Sequence, residues 1–168
     1  MQDDSADLIA CIPRLRRYAR ALVGERGSAD DLVQDTIERG WRKLTSWRRG
    51  SDMRAWLFAI MHNLHIDQLR KPSLSTELLD DDTVIPTARG TQDDGLEIRD
   101  MEAALRMLPA EQREVLLLVA LEEMTYEEVA ATLRIPLGTV MSRLARAREK
   151  LRALMEGHIV HSPLKVVK

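Results

Sequence analysis

The chain has 168 residues, room for one ordinary domain or two small ones, and its 25 basic and 27 acidic side chains balance to -2, unlike a generally basic nucleic-acid coat protein. A single cysteine, Cys11, excludes an internal disulfide framework and reads as a small buried apolar residue. The acidic start MQDDSADL lacks a signal-peptide core, and the longest apolar run, Val115 to Leu121, is too short to cross a bilayer, so a soluble cytoplasmic protein is expected.

Several helices fit residues 6 to 71, with no sustained strand alternation. Ser28 and Asp31 have cap spacing at the start of a helix whose inward stripe is Val33, Ile37, Gly40, Trp41 and Leu44. Its other side shows Asp31, Gln34, Asp35 and Glu38, an acidic, amide-bearing face that is either simply solvated or docks a partner. The loop Ser46-Trp47-Arg48-Arg49-Gly50-Ser51 precedes a second long helix, Asp52 to Arg70, with Met53, Trp56, Leu57, Ile60 and Leu64 facing inward. Arg54, Phe58, His62 and His65 share another side. A basic face with an outward aromatic suits nucleic acid, because rings stack on unpaired bases while cations hold the backbone; the alternative is that Phe58 covers a neighbouring helix.

Residues 72 to 96 are rich in Pro, Ser, Asp and Gly and poor in periodic apolar positions, which predicts an acidic, flexible linker. It separates two mildly basic blocks. Residues 1–72 carry 13 basic and 10 acidic side chains, residues 73–101 carry 2 and 8, and residues 102–168 carry 10 and 9. Each flanking block, 1–71 and 97–156, is small enough to be marginally stable by itself. Residues 157–168 form a tail to which no role is assigned.

The carboxy-terminal block holds the most specific pattern. Tyr126 to Leu133 reads as a short helix with Thr125 and Glu128 in capping-box spacing and Val129, Ala130 and Leu133 facing inward. Arg134-Ile135-Pro136 breaks it and starts another helix. At about 100° per residue, Val140, Leu144, Ala147 and Leu151 form an apolar stripe on that second helix, while Thr139, Ser142, Arg143, Arg146 and Lys150 share a polar, basic face. From Arg134 to Arg152 there are six basic residues against one acidic, and the stretch Glu111 to Glu128 has the opposite sign. A reversal confined to one helix favours a polyanion-facing surface over a merely solvated one, so this is read as a helix-turn-helix whose second helix reads DNA.

Other chemistry is thin. His62 with His65, and His158 with His161, stand three apart, but without Cys or carboxylate partners at ligand spacing they are expected to be surface histidines, and no metal or cofactor is expected. There is no Gly-rich phosphate loop and no nucleophile with a convincing base, so no enzyme and no small-molecule substrate are expected.

The strings DDLVQDTIERGW (30–41), RAWLFAIMHNLHIDQLR (54–70), LP-x-x-x-R followed by an apolar run, MTYEEVA and GTVMSRLARAREKL resemble, in order and spacing, a bacterial sigma factor of the extracytoplasmic-function (ECF) group of the sigma-70 family. The resemblance implies an all-α protein of two small domains, region two and region four. It implies that Asp31, Gln34, Asp35 and Glu38 dock on the polymerase clamp helices. Trp47, Arg48, Arg49, Arg54, Phe58, His62 and Asn63 would recognise and hold open the minus-ten element, and Thr139, Ser142, Arg143, Arg146 and Lys150 would read the minus-thirty-five element. The linker would thread the polymerase as a charge mimic of nucleic acid. Partners implied are core RNA polymerase, promoter DNA and an anti-sigma factor, without membrane insertion. Many relatives carry a more basic residue where this chain has His62, which implies a weaker and pH-sensitive phosphate contact there.

Two other readings stay open on the sequence. A stand-alone helix-turn-helix regulator would bind DNA without polymerase but leaves the face around Arg54 unused. A sigma mimic that titrates an anti-sigma factor has no need of Arg143 and Arg146, and the chain is short for an attached receiver domain.

Overall fold

The computed structural model describes the backbone of residues 3–71 and 92–161, with side chains over 3–71 and 98–157. The expected linker up to residue 91, the end of the tail beyond His161, and the side chains of His158 and His161 lie outside the described residues. Among the described residues all regular structure is helical: α1 Asp4–Ala10, α2 Ile12–Val23, α3 Arg26–Arg42, a 3-10 turn Leu44–Ser46, α4 Met53–Arg70, α5 Gln92–Met107, α6 Ala110–Ala120, α7 Tyr126–Leu133 and α8 Leu137–His161. The last residues assigned to the linker, from Gln92, are thus already helical.

Local chemistry explains where the helices start and stop. Asp52 caps α4, accepting from the amides of Arg54 and Ala55. Helix α3 begins earlier than the Ser28/Asp31 spacing suggests, because the Glu25 carboxylate accepts from the amides of Gly27 and Ser28 and from the Ser28 hydroxyl. These bonds hold the Glu25 carboxyl below its ordinary pKa. Gly24 ends α2 in the left-handed conformation, φ 81°, which a residue with a Cβ adopts at a cost.

The amino-terminal helices α1–α4 pack around Leu8, Leu15, Leu22, Leu32, Leu57 and Met61, and the carboxy-terminal helices around Val115, Leu118, Val129, Val140 and Leu144. Gly40 lets α3 approach α4 closely: a Cβ there would meet the Leu57 Cδ2 at 2.8 Å. Trp41, expected to face inward, is instead 51% exposed, because the close crossing at Gly40 turns its neighbour off the contact. The two sets of helices are not separate. Helix α2 packs on α6 and α4 on α7, and the apolar cores run together. No helix among the described residues is long and apolar enough to cross a membrane.

Candidate nucleic-acid interface

The second helix of the helix-turn-helix is built as its sequence pattern requires. The capping box closes at the start of α7: Thr125 Oγ1 accepts from the Glu128 amide at 3.1 Å, and the Glu128 carboxylate accepts from the Thr125 amide at 3.0 Å. The turn is made by Arg134 in the left-handed region, φ 55°, with the Ile135 amide bonded back to the Ala130 carbonyl. Val140, Leu144 and Ala147 are buried and Leu151 is half-buried, so one side of α8 is fixed against α6 and α7.

The opposite side faces outward. Ser142, Arg146 and Lys150 are exposed and Thr139 is half-buried beside them. Arg143 also lies on this side, but its guanidinium pairs with the Glu111 carboxylate of α6 at 3.6 Å. That carboxylate is 73% exposed, so the pair contributes little and Glu111 is readily exchanged for another anion. Arg148 is exposed on a different side of α8. Nothing lies within 4 Å of a Cβ built at Gly138, and Leu137 is exposed, so the start of α8 is sterically open.

The second candidate surface is arranged differently from the expectation. In the loop, Arg48 and Arg49 are exposed, with Arg49 Nε donating to Asp4 at 3.1 Å, and Trp47 is half-buried with its indole N–H enclosed and unpartnered. Asn63 is exposed. Phe58, however, is no outward aromatic. It is 2% exposed and meets the Tyr18 ring edge-on, centroids 4.9 Å apart. Arg54 and His62 do share a face with it, and the carboxy-terminal helices cover that face. Arg54 donates to the Glu122 carbonyl at 2.8 Å, and the His62 ring bonds the Glu114 carboxylate.

His62 and His65 are accordingly not surface residues. His65 is buried, and desolvation lowers its pKa despite the opposing pull of Glu114. Among the described residues no three His, Cys, Asp or Glu stand together as metal ligands would.

Arg17, Glu114 and Glu122 were not singled out by the sequence. Arg17 donates to the Leu121 carbonyl at 3.2 Å and lies 3.5 Å from a Glu122 carboxylate oxygen. The Glu122 side chain is fully buried, its other oxygen has no partner, and burial raises its pKa against the pull of Arg17. Arg113, the arginine of LP-x-x-x-R, donates to the carbonyls of Leu105, Arg106 and Leu108 and also to Leu22 of the amino-terminal set. That motif was the available signal, but its reach across to α2 was not in it.

The acidic face is as expected in position. Asp31, Gln34, Asp35 and Glu38 are all exposed on α3. Gln34 and Glu38 also border an open groove between α2 and α3 that includes Arg16, Arg20 and Asp30.

Comparison with known proteins fits this arrangement. Residues 8–62 match the Sigma2 domain of PhyR and residues 98–151 match Sigma-70, region 4. The ECF RNA polymerase sigma factor EcfG of Rhodopseudomonas palustris (strain TIE-1) is 40% identical over 151 residues, 89% of this chain and 83% of EcfG. The chain belongs to the ECF RNA polymerase sigma factor family. Among solved structures, this sigma factor is similar to the sigma factor RpoE of Bartonella quintana in complex with the anti-sigma factor NepR, with TM-score 0.75, 35% identity, and 90% and 95% of the two chains covered. It is also similar to CnrH in complex with the cytosolic domain of CnrY, with TM-score 0.68, 28% identity, and 91% and 88% covered.

Proposed function

We propose that the protein is a promoter-specificity subunit that binds core RNA polymerase, directs initiation at a dedicated set of promoters in response to a signal, and is restrained by an anti-sigma factor. Residues 1–71 act as region two, 72–96 as the linker and 97–156 as region four. The observation that carries the DNA-reading part is α8, whose apolar stripe is buried while Ser142, Arg146 and Lys150 stand outward beside Thr139 and Arg143.

The mechanism is divided recognition. Each small domain binds DNA weakly, and holding both on one polymerase raises the effective concentration of the second contact once the first is made. Arginines on α8 supply base-edge contacts in the major groove, and phosphate contacts set position. Arg48, Arg49 and Asn63, with Trp47 and the now covered Arg54 and His62, serve the minus-ten element. Phe58 supports that surface from beneath. Asp31, Gln34, Asp35 and Glu38 dock on polymerase. The protein performs no catalysis of its own and works in the cytoplasm, where its partners are. RpoE and CnrH are each found bound to a partner, NepR and CnrY, and a partner of that kind holds this chain inactive.

A sigma mimic that titrates an anti-sigma factor has one observation in its favour, the match of residues 8–62 to a PhyR domain. Run-off transcription with core polymerase on fragmented genomic DNA decides between them. Discrete transcripts that require the protein support the sigma reading. Their absence, with an anti-sigma partner still bound, supports the mimic.

A further inference from the structure

The caps of α2 and α7 need the same backbone conformation and fill it differently. Helix α2 ends at Gly24, φ 81°, and α7 at Arg134, φ 55°. In both, the left-handed residue turns its N–H back to a carbonyl of the preceding turn, that of Arg20 and of Ala130. Such a cap uses main-chain atoms alone, and a Cβ there crowds the following carbonyl, so glycine is the residue it selects. Arginine at the α7 cap therefore works against its own turn. Its charge at the helix end recovers less than the strain costs, because the position is exposed and screened. Among the described residues no carbonyl or carboxylate holds its guanidinium, whereas those of Arg17, Arg54, Arg106 and Arg113 are all bound within the chain.

The place of this arginine gives its charge a use. Arg134 stands just before Leu137, where α8 begins, and that end of α8 is open, with Leu137 41% exposed and nothing within 4 Å of a Cβ at Gly138. The first turn of a reading helix enters the major groove, and the segment leading into it passes the phosphates at the groove edge.

We propose that Arg134 contacts a phosphate at the edge of the minus-thirty-five groove and so sets how α8 seats there, a positioning role kept at a cost in stability. This rests on the reading of α8 as the DNA-reading helix. Strain alone does not mark such a contact. Glu123 is also left-handed, φ 54°, and exposed, but its charge is repelled by phosphate, which makes it the internal control.

The test uses the full-length protein on core polymerase and a labelled duplex carrying a promoter recovered by run-off transcription. Fluorescence anisotropy reads affinity across a salt series, at a temperature that keeps the duplex paired. Arg134→Gly is expected to raise the urea midpoint of the free protein yet weaken duplex binding by about tenfold near ~0.1 M salt. It should also lower the slope of log affinity against log salt by about one, the share of a single phosphate. Arg134→Lys keeps the charge and should keep the slope. Glu123→Gly should raise the midpoint and lose no affinity. A methylphosphonate placed at each phosphate in turn along the minus-thirty-five element then locates the contact, as the one position that weakens the wild-type protein and leaves Arg134→Gly indifferent.

Four results overturn the proposal: unchanged affinity and slope in Arg134→Gly, a lowered urea midpoint in that variant, a slope lost equally in Arg134→Lys, and an affinity lost equally in Glu123→Gly. Undiminished binding by Arg143→Ala and Arg146→Ala on the same duplex would instead remove the DNA-reading assignment of α8 beneath it.

Discussion

A Cβ on Gly24 would lie 3.0 Å from the Arg106 Nε, and the same guanidinium donates to the Gly24 carbonyl at 3.2 Å. The left-handed cap of α2 and the carboxy-terminal helices are therefore fitted to each other. Gly24→Ala should destabilise the protein by about 1–2 kcal/mol through backbone strain alone. Urea unfolding reads this as a lower midpoint. Removing the crowding with Arg106→Ala should not restore it, and full restoration would show that crowding rather than the φ of 81° dominates.

Thr125→Ala removes one half of the α7 capping box and should cost ~1 kcal/mol. Since α7 supports the buried stripe of α8, transcription should fall with stability at raised temperature and recover on cooling. Thr125→Ser, which keeps the hydroxyl, should retain most of both. A loss equal in the serine and alanine variants would exclude the cap as the cause.

On α8, Arg143→Ala or Arg146→Ala should cut transcription from a cognate promoter, by about 1–3 kcal/mol of binding if the lost contact is bidentate to a base. Arg148→Ala, on a different side of the helix, should do much less. Leu144→Ala should also abolish activity, by unfolding, since deleting a buried leucine costs about 2–5 kcal/mol. Circular dichroism separates the two kinds of loss. Equal damage from Arg148→Ala and the two reading-face variants would contradict the assigned face.

Asp35 is exposed on α3, so reversing its charge should leave the fold intact. Asp35→Arg should weaken binding to core polymerase through loss of charge-assisted contacts, with helicity unchanged. Unchanged affinity in a direct binding titration would defeat the docking assignment.

The raised pKa of Glu122 has a pH signature. A carboxyl whose folded pKa lies above its unfolded value favours the fold most below the ordinary carboxylate range, and that contribution is lost as pH rises through the raised value. Glu25, whose pKa is lowered, acts in the opposite sense, so the comparison must be between the wild-type protein and a Glu122 variant. Glu122→Gln should change the pH dependence of unfolding free energy in the carboxylate range by removing the component that favours acid. Parallel profiles for the two proteins would show that Glu122 does not titrate with folding.

The sequence made the helix-turn-helix legible because its determinants are local. Thr125 and Glu128 are three apart, Arg134 sits in the turn it forms, and the faces of α8 follow from pitch alone. The exposed positions of Asp31, Gln34, Asp35 and Glu38 followed from pitch too. The face of α4 was misread because its partners lie far along the chain. Arg54 meets a carbonyl 68 positions away and His62 a carboxylate 52 away, and a basic face looks the same in sequence whether water, DNA or another helix covers it. Phe58 shows the same limit, since its ring finds Tyr18 on another helix. At the start of α3 the miss was local: Glu25 reached the free amides before Ser28 could act as a cap.

Most acceptors along the seam between the halves are main-chain carbonyls, those of Leu22, Gly24, Leu121 and Glu122. No side-chain substitution deletes a carbonyl. Mutational drift can therefore tune the seam mainly from the donor side, by losing or gaining Arg17, Arg54, Arg106 or Arg113. Duplicated copies of such a gene would be expected to diverge in the tightness of closure through their arginines, while the residues that receive them stay constrained by burial at Leu22 and Glu122 and by the left-handed cap at Gly24.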